Sequence, residues 1–135
     1  MATSGLAQRL SGPTGVVALA AVGAVVVHLR PPVAGAYPPC PLHALTGLWC
    51  PLCGGTRMVA ALVQGHWATA LHDNAFALLV LAPLAAAGLA MWTADAVADR
   101  PRRRLLAGGA WWALAGAALV FTVVRNLPVG RALAP

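Results

Sequence analysis

Apolar positions in this chain come in long, nearly unbroken runs, not in the alternation of a half-buried strand or the narrow stripe of a surface helix. The first run, residues 13–30, reads PTGVVALAAVGAVVVHLR. About 18 residues at 1.5 Å each cover roughly 27 Å, enough to cross the hydrocarbon core of a bilayer. Ser11-Gly12-Pro13 offers a helix start, with a serine cap and a proline in the first turn. Residues 1–11 then form a frayed polar tail, and Pro31-Pro32 ends the run. The second run, residues 75–95, opens behind His72, Asp73 and Asn74. It contains Pro83, which predicts a kink or local opening near mid-span. The third, residues 105–124, reads LLAGGAWWALAGAALVFTVV and stops at Arg125-Asn126-Leu127-Pro128. Small residues cluster in both later runs and permit close helix packing.

Between the first two runs the pattern breaks. Pro31, Pro32, Pro38, Pro39 and Pro41 each remove a backbone donor, so residues 31–53 are expected to be irregular. Residues 56–64, TRMVAALVQ, are helical in character but too short to span, which suits an interfacial helix. Gly65 breaks it, and His66 takes the next cap position. The expected fold is an all-α membrane protein with three transmembrane helices plus a short interfacial helix after a Cys/Gly/Pro-rich loop. It forms a single membrane domain over residues 1–135, with a tail at 1–11, spans at 13–30, 75–95 and 105–124, and the Cys-containing loop and interfacial helix at 31–73.

Composition sharpens this reading. The chain is 60% hydrophobic and 9% charged, whereas a soluble domain carries roughly 25% charged residues. A net charge of +6 would suggest nucleic acid in a soluble protein. Here the arginines sit at the ends of apolar runs, where membrane topology accounts for them and no nucleic-acid partner is expected. Three spans put the N-terminus and the loop Asp99-Arg100-Pro-Arg102-Arg103-Arg104 on one side, and the cysteines and C-terminus on the other. Four arginines crowded into that loop place it in the cytoplasm and the cysteine loop outside. Ahead of the first run only Arg9 supplies an n-region, and the long run ends in Arg30-Pro31-Pro32 without a clear small-residue cleavage site, so a removable signal peptide is not expected.

The candidate chemistry lies in Cys40 to Arg57, CPLHALTGLWCPLCGGTR, which holds all three cysteines. Cys50-Pro-Leu-Cys53-Gly-Gly is a chain reversal in which backbone N–H groups can face the sulfurs. Cys53 falls at a helix start, where the macrodipole would lower a thiol pKa. Two uses follow. One is a zinc knuckle in which Cys40, Cys50 and Cys53 are ligands and His43, His28, His72 or water is the fourth. The other is a dithiol–disulfide pair, Cys50 and Cys53, with Cys40 as partner or resolving thiol. Outside the membrane, a purely structural disulfide or inert thiols compete with both.

Arg57 is costly near lipid without a partner, and Asp73, backbone carbonyls, a lipid phosphate or thiolates could serve. Asn74 and Asn126 are placed to cap or cross-link helix ends, and Arg125 to snorkel toward headgroups. The sequence has no phosphate-binding loop, no zinc-protease motif, no serine-hydrolase elbow, no haem attachment motif and no glutamate, so paired-carboxylate catalysis is excluded.

Cys40-Pro41, Leu45-Thr46-Gly47 and Cys50-Pro51-x-Cys53-Gly54-Gly55-Thr56-Arg57 resemble the signature of the domain-of-unknown-function 2752 family of small bacterial membrane proteins. The resemblance continues through Gly65 and the Ala70 to Asn74 segment to Arg125-Asn126-Leu127-Pro128. It departs at Leu52, where the family commonly has glycine, and at His66, where an acidic cap is usual. It implies an integral protein of the bacterial plasma membrane, with Cys40, Cys50, Cys53, Thr56, Arg57, Asn74, Arg125 and Asn126 as one constellation. It implies no reaction.

Three functions remain open from sequence. The first is a non-enzymatic component of a membrane complex, its three-cysteine knuckle a structural metal or disulfide site. Its helices would meet lipid and a protein partner, or a second copy, through the small-residue faces. The alternative is a membrane thiol oxidoreductase using Cys50/Cys53 with Cys40. The third is an accessory to metal or small-anion transport. Zinc is the one cofactor this residue set suggests.

Overall fold

The computed structural model describes residues 3–32 and 37–134. It is helical throughout, with no strand among the described residues. Helix α1 runs Thr3–Leu29, α2 Pro41–Thr46, α3 Gly55–Val63 and α4 Trp67–Phe76. A π-helical segment, Ala77–Leu81, passes into α5, Ala82–Val97. Helix α6 is Ala110–Asn126, and a 3₁₀ turn, Pro128–Leu133, follows it.

Two helical stretches are long and apolar enough to cross a membrane: Gly5–Leu29, of 25 residues, and Trp67–Val97, of 31. Helix α6 is apolar but shorter, at 17 residues. Their outward faces are strongly apolar, with Leu19 74% and Trp112 81% exposed, as expected of helices solvated by lipid rather than water.

Several boundaries differ from those expected. Residues 3–11 are helical, not a tail, and Pro13 lies buried inside α1. The Ser11 hydroxyl caps nothing and instead donates back to the Gln8 carbonyl at 2.7 Å. The proline-rich loop contains a helix after all: Pro41 occupies the first turn of α2, where its missing N–H has no partner to lose. Gly47, at φ 72°, ends α2 in the left-handed conformation. The third apolar run becomes helical only at Ala110, because Gly108 turns left-handed at φ 56°. Residues 105–109 are therefore not helical.

The helices meet in two groups. α3 and α4 pack as a hairpin about Met58, Ala61, Ala70 and Ala77. α1 lies along α5 and α3, and Gly12 approaches Trp92 so closely that an added Cβ would stand 2.5 Å from the indole. Arg9 pairs with Asp99 at that end of the molecule. Phe76 stacks on Phe121 at 5.4 Å, joining α4 to α6. The N-terminal half of α1 and the arginine loop thus share one end, and the cysteine knuckle occupies the other.

Candidate functional site: a three-thiol knuckle

The knuckle is made by two short turns. Cys53 N–H donates to the Cys50 carbonyl at 3.1 Å, and Gly55 N–H to the Leu52 carbonyl at 3.0 Å. Gly54, at φ 86°, then directs the chain into α3. Leu52 is accommodated on the outside of the turn, 60% exposed. Cys40 arrives from the other side as the residue capping α2. The Cys40 and Cys50 sulfurs lie 3.4 Å apart and those of Cys50 and Cys53 3.0 Å, well beyond the roughly 2.05 Å of a disulfide. All three sulfurs lie within 4.8 Å of one another. Tetrahedral zinc with Zn–S bonds of about 2.3 Å holds its sulfurs about 3.8 Å apart, so the spacing fits such an ion with small adjustments.

The thiols are electrostatically unequal. Backbone N–H groups at His43, then the Cys50 thiol, bring the Cys40 pKa down from 9.0 to about 7. Burial pushes that of Cys53 up to about 12, reinforced by the Cys50 thiol. The Cys50 N–H donates to the Cys53 sulfur at 3.2 Å but does not offset burial. The expected lowering of Cys53 by the helix start is therefore reversed, because desolvation dominates. Cys40 is the activated thiol.

Three polar side chains grip the knuckle from behind. Asn74 is fully buried and donates to the Pro51 and Cys53 carbonyls at 3.0 and 3.1 Å. Asn126 accepts from the Trp49 N–H at 2.8 Å and donates to the Trp49 carbonyl at 2.9 Å. Arg125 does not snorkel. It is 1% exposed, and its guanidinium donates to the carbonyls of Cys50 (2.9 Å), Cys53 (3.3 Å) and Leu133 (2.9 Å). Its Nε is buried without a partner among the described residues. No carboxylate contacts it there, so a whole positive charge lies directly beneath the thiols.

In front of the sulfurs opens a cavity of about 550 Å³, lined among others by Cys40, His43, Cys53, Thr56 and Arg57. Thr56 and Arg57 are exposed at its edge, and Arg57 makes no side-chain hydrogen bond or ion pair among the described residues, with Asp73 or anything else. His43 stacks on Trp49 at 3.8 Å, its Nδ1 buried and unpartnered among the described residues. No histidine joins the sulfur cluster: His43 is the nearest by position on the cavity wall, while His28 and His72 are exposed elsewhere. His66 occupies the cap position of α4 without a side-chain bond to it.

Sequence reasoning missed the His43–Trp49 stack and the Leu133 carbonyl, for which no local signal exists. It also missed Asp95, 1% exposed, which accepts from the Arg103 backbone N–H at 3.0 Å and the Arg103 Nε at 2.8 Å. A lone acid near the end of an apolar run was the available signal.

Residues 40–88 match the model of the family described as Protein of unknown function (DUF2752), the family whose motif the sequence resembles. No curated protein and no solved structure matches the chain. The matched segment runs from the first knuckle cysteine into α5 and includes Asn74, while Arg125 and Asn126 lie beyond it.

Proposed function

We propose that the chain is a small integral membrane protein whose Cys40, Cys50 and Cys53 thiolates hold one zinc ion, with the fourth position open to the cavity beside His43 and Arg57. The observation that carries this reading is Arg125, a buried cation that among the described residues meets only neutral groups, the carbonyls of Cys50, Cys53 and Leu133 and the Phe121 ring. Burying an unpaired charge costs several kcal/mol. Three thiolates and a divalent cation carry one net negative charge, which matches Arg125. A disulfide consumes two of the three sulfurs and leaves the arginine to be balanced by ionisation of the third. The fit of sulfur spacing to zinc supports the same assignment.

In this reading α1, the stretch Trp67–Val97 and α6 are the spans. The N-terminus and arginine loop are cytoplasmic, the knuckle is external, and the site serves structure or ligand capture within a membrane complex, not turnover. The small-residue faces of α5 and α6 are where a partner helix or second copy would pack. A second reading rests on the depressed Cys40 pKa and its 3.4 Å approach to Cys50. It makes that pair a working dithiol of a membrane thiol oxidoreductase.

The test is elemental analysis of the purified protein together with a thiol count before and after chelation and unfolding. One zinc per chain, with all three thiols reacting once the protein is both chelated and unfolded but not before, is the expected result. One free thiol, a disulfide and no metal would overturn the zinc site. A Cys40–Cys50 disulfide that exchanges with an added dithiol would establish the second reading.

A further inference from the structure

A second cavity, of about 640 Å³, lies at the opposite end of the molecule, between α5, α6 and the loop that joins them. Its walls include Leu81, Leu84 and Leu114, and its mouth includes Arg102, Arg103 and Arg104. α5 and α6 are joined by this loop yet do not pack closely against each other. Leu105, next to Arg104, stands against Gly88 of α5, and the cavity wall continues from there to Leu81, seven residues and about 10 Å farther along.

The arginines are arranged as a receptor rather than as mutual repellents. Arg103 is fixed by buried Asp95. Arg102 lies over the Trp92 ring at 4.2 Å. Arg104 is exposed and makes no side-chain hydrogen bond or ion pair among the described residues. Asp99, the other acid nearby, is engaged by Arg9. The mouth therefore keeps a surplus of positive charge above an apolar slot.

We propose that this cavity is a binding site for one anionic phospholipid, its phosphate held by Arg102 and Arg104 and its acyl chains lying along Leu81, Leu84 and Leu114. A free anion would use the arginines but leave the slot unfilled. A zwitterionic lipid would fill the slot but bring no net charge to the arginines. The chemistry of both halves is met by a negatively charged diacyl lipid. The inference rests on the membrane reading of the helices and is independent of the zinc.

The experiment is native mass spectrometry of the full-length protein in mild detergent, titrated with phosphatidylglycerol or with phosphatidylcholine. One phosphatidylglycerol should be retained per chain and phosphatidylcholine should not. Arg102→Gln with Arg104→Gln should weaken retention roughly 10- to 30-fold, at about 1 kcal/mol for each charge. Leu84→Trp should abolish it with the charges intact. Arg103 is left in place so that its bond to Asp95 persists, and unchanged helicity by circular dichroism certifies each variant. Equal retention of the two lipids, insensitivity to the arginine changes, or equal competition by glycerol phosphate would each overturn the site. Resistance of the protein to carbonate extraction from membranes separates the two readings: a chain that stays in the membrane but shows no lipid preference loses only the lipid site.

Discussion

At the scale of single residues, the knuckle is governed by where each group's charge is tolerated. Cys40 sits on backbone donors and Cys53 in a desolvated corner, a separation that the C-x-x-C spacing does not encode. The three cysteines were legible as a cluster because they share one short segment. The inequality among them was not, because it depends on how the folded turns aim backbone donors at Cys40 and bury Cys53. Arg125 illustrates the same limit: at the end of an apolar run it reads as a snorkelling residue, and only the fold reveals carbonyls waiting inside. The lowered Cys40 pKa has a direct consequence. A thiol reacts as thiolate, so in chelator-treated protein Cys40 should be half reactive near pH 7 and fully reactive about one to two units higher. Cys53, pushed up to about 12, should remain unmodified over the same range. Peptide mapping after timed iodoacetamide treatment between pH 6 and 9 checks this. Preferential labelling of Cys53 would show that the electrostatic order is wrong.

At the scale of elements, Asn74 determines how the long second apolar stretch begins. Its backbone leaves the helical region, at φ −160° and ψ 87°, and its side-chain oxygen accepts from the Ala77 N–H at 2.9 Å, which is the geometry of a helix cap. The helix thus starts afresh after Asn74. Farther along, Pro83 cannot donate to the turn before it. The chain answers with a π segment, in which the Ala82 N–H reaches the Ala77 carbonyl. A disturbance near Pro83 was legible from proline; its form was not, since a kink and a π segment relieve the same missing bond. The start of α6 was misplaced because leucines and alanines at 105–107 look helical, whereas the left-handed Gly108 fixes a turn there. Because Asn74 ties this cap to the Pro51 and Cys53 carbonyls, Asn74→Ala should loosen helix and knuckle together. Loss of its hydrogen bonds predicts destabilisation of about 2–4 kcal/mol, read as a lower thermal midpoint in detergent. The three thiols should also react faster with a maleimide. A lower midpoint with unchanged thiol protection would mean that the cap and the knuckle are separate.

At the scale of the whole molecule, the order of apolar runs was enough to place the arginine loop and the knuckle at opposite ends. The structure adds the contacts that hold each end together. Arg9 with Asp99, and Gly12 against Trp92, tie the beginning of α1 to the end of α5. Asn126 on Trp49 and Arg125 on Cys50 tie the end of α6 to the knuckle. This arrangement suits an odd number of crossings, with α6, at 17 residues and about 25 Å, as the shortest. A helix of that length still crosses when polar residues at its ends reach the headgroups or bond to protein, and Arg125 and Asn126 donate to knuckle carbonyls. Four arginines in the short loop then favour its retention in the cytoplasm. A green fluorescent reporter inserted at residue 100 should therefore fluoresce in cells, since it folds on the cytoplasmic side, and an alkaline phosphatase fusion there should be inactive. The reverse pair of results would invert the orientation, placing the thiols in a reducing compartment. The zinc site would then lose its need to compete with disulfide formation, while the anionic lipid site would face the outer leaflet.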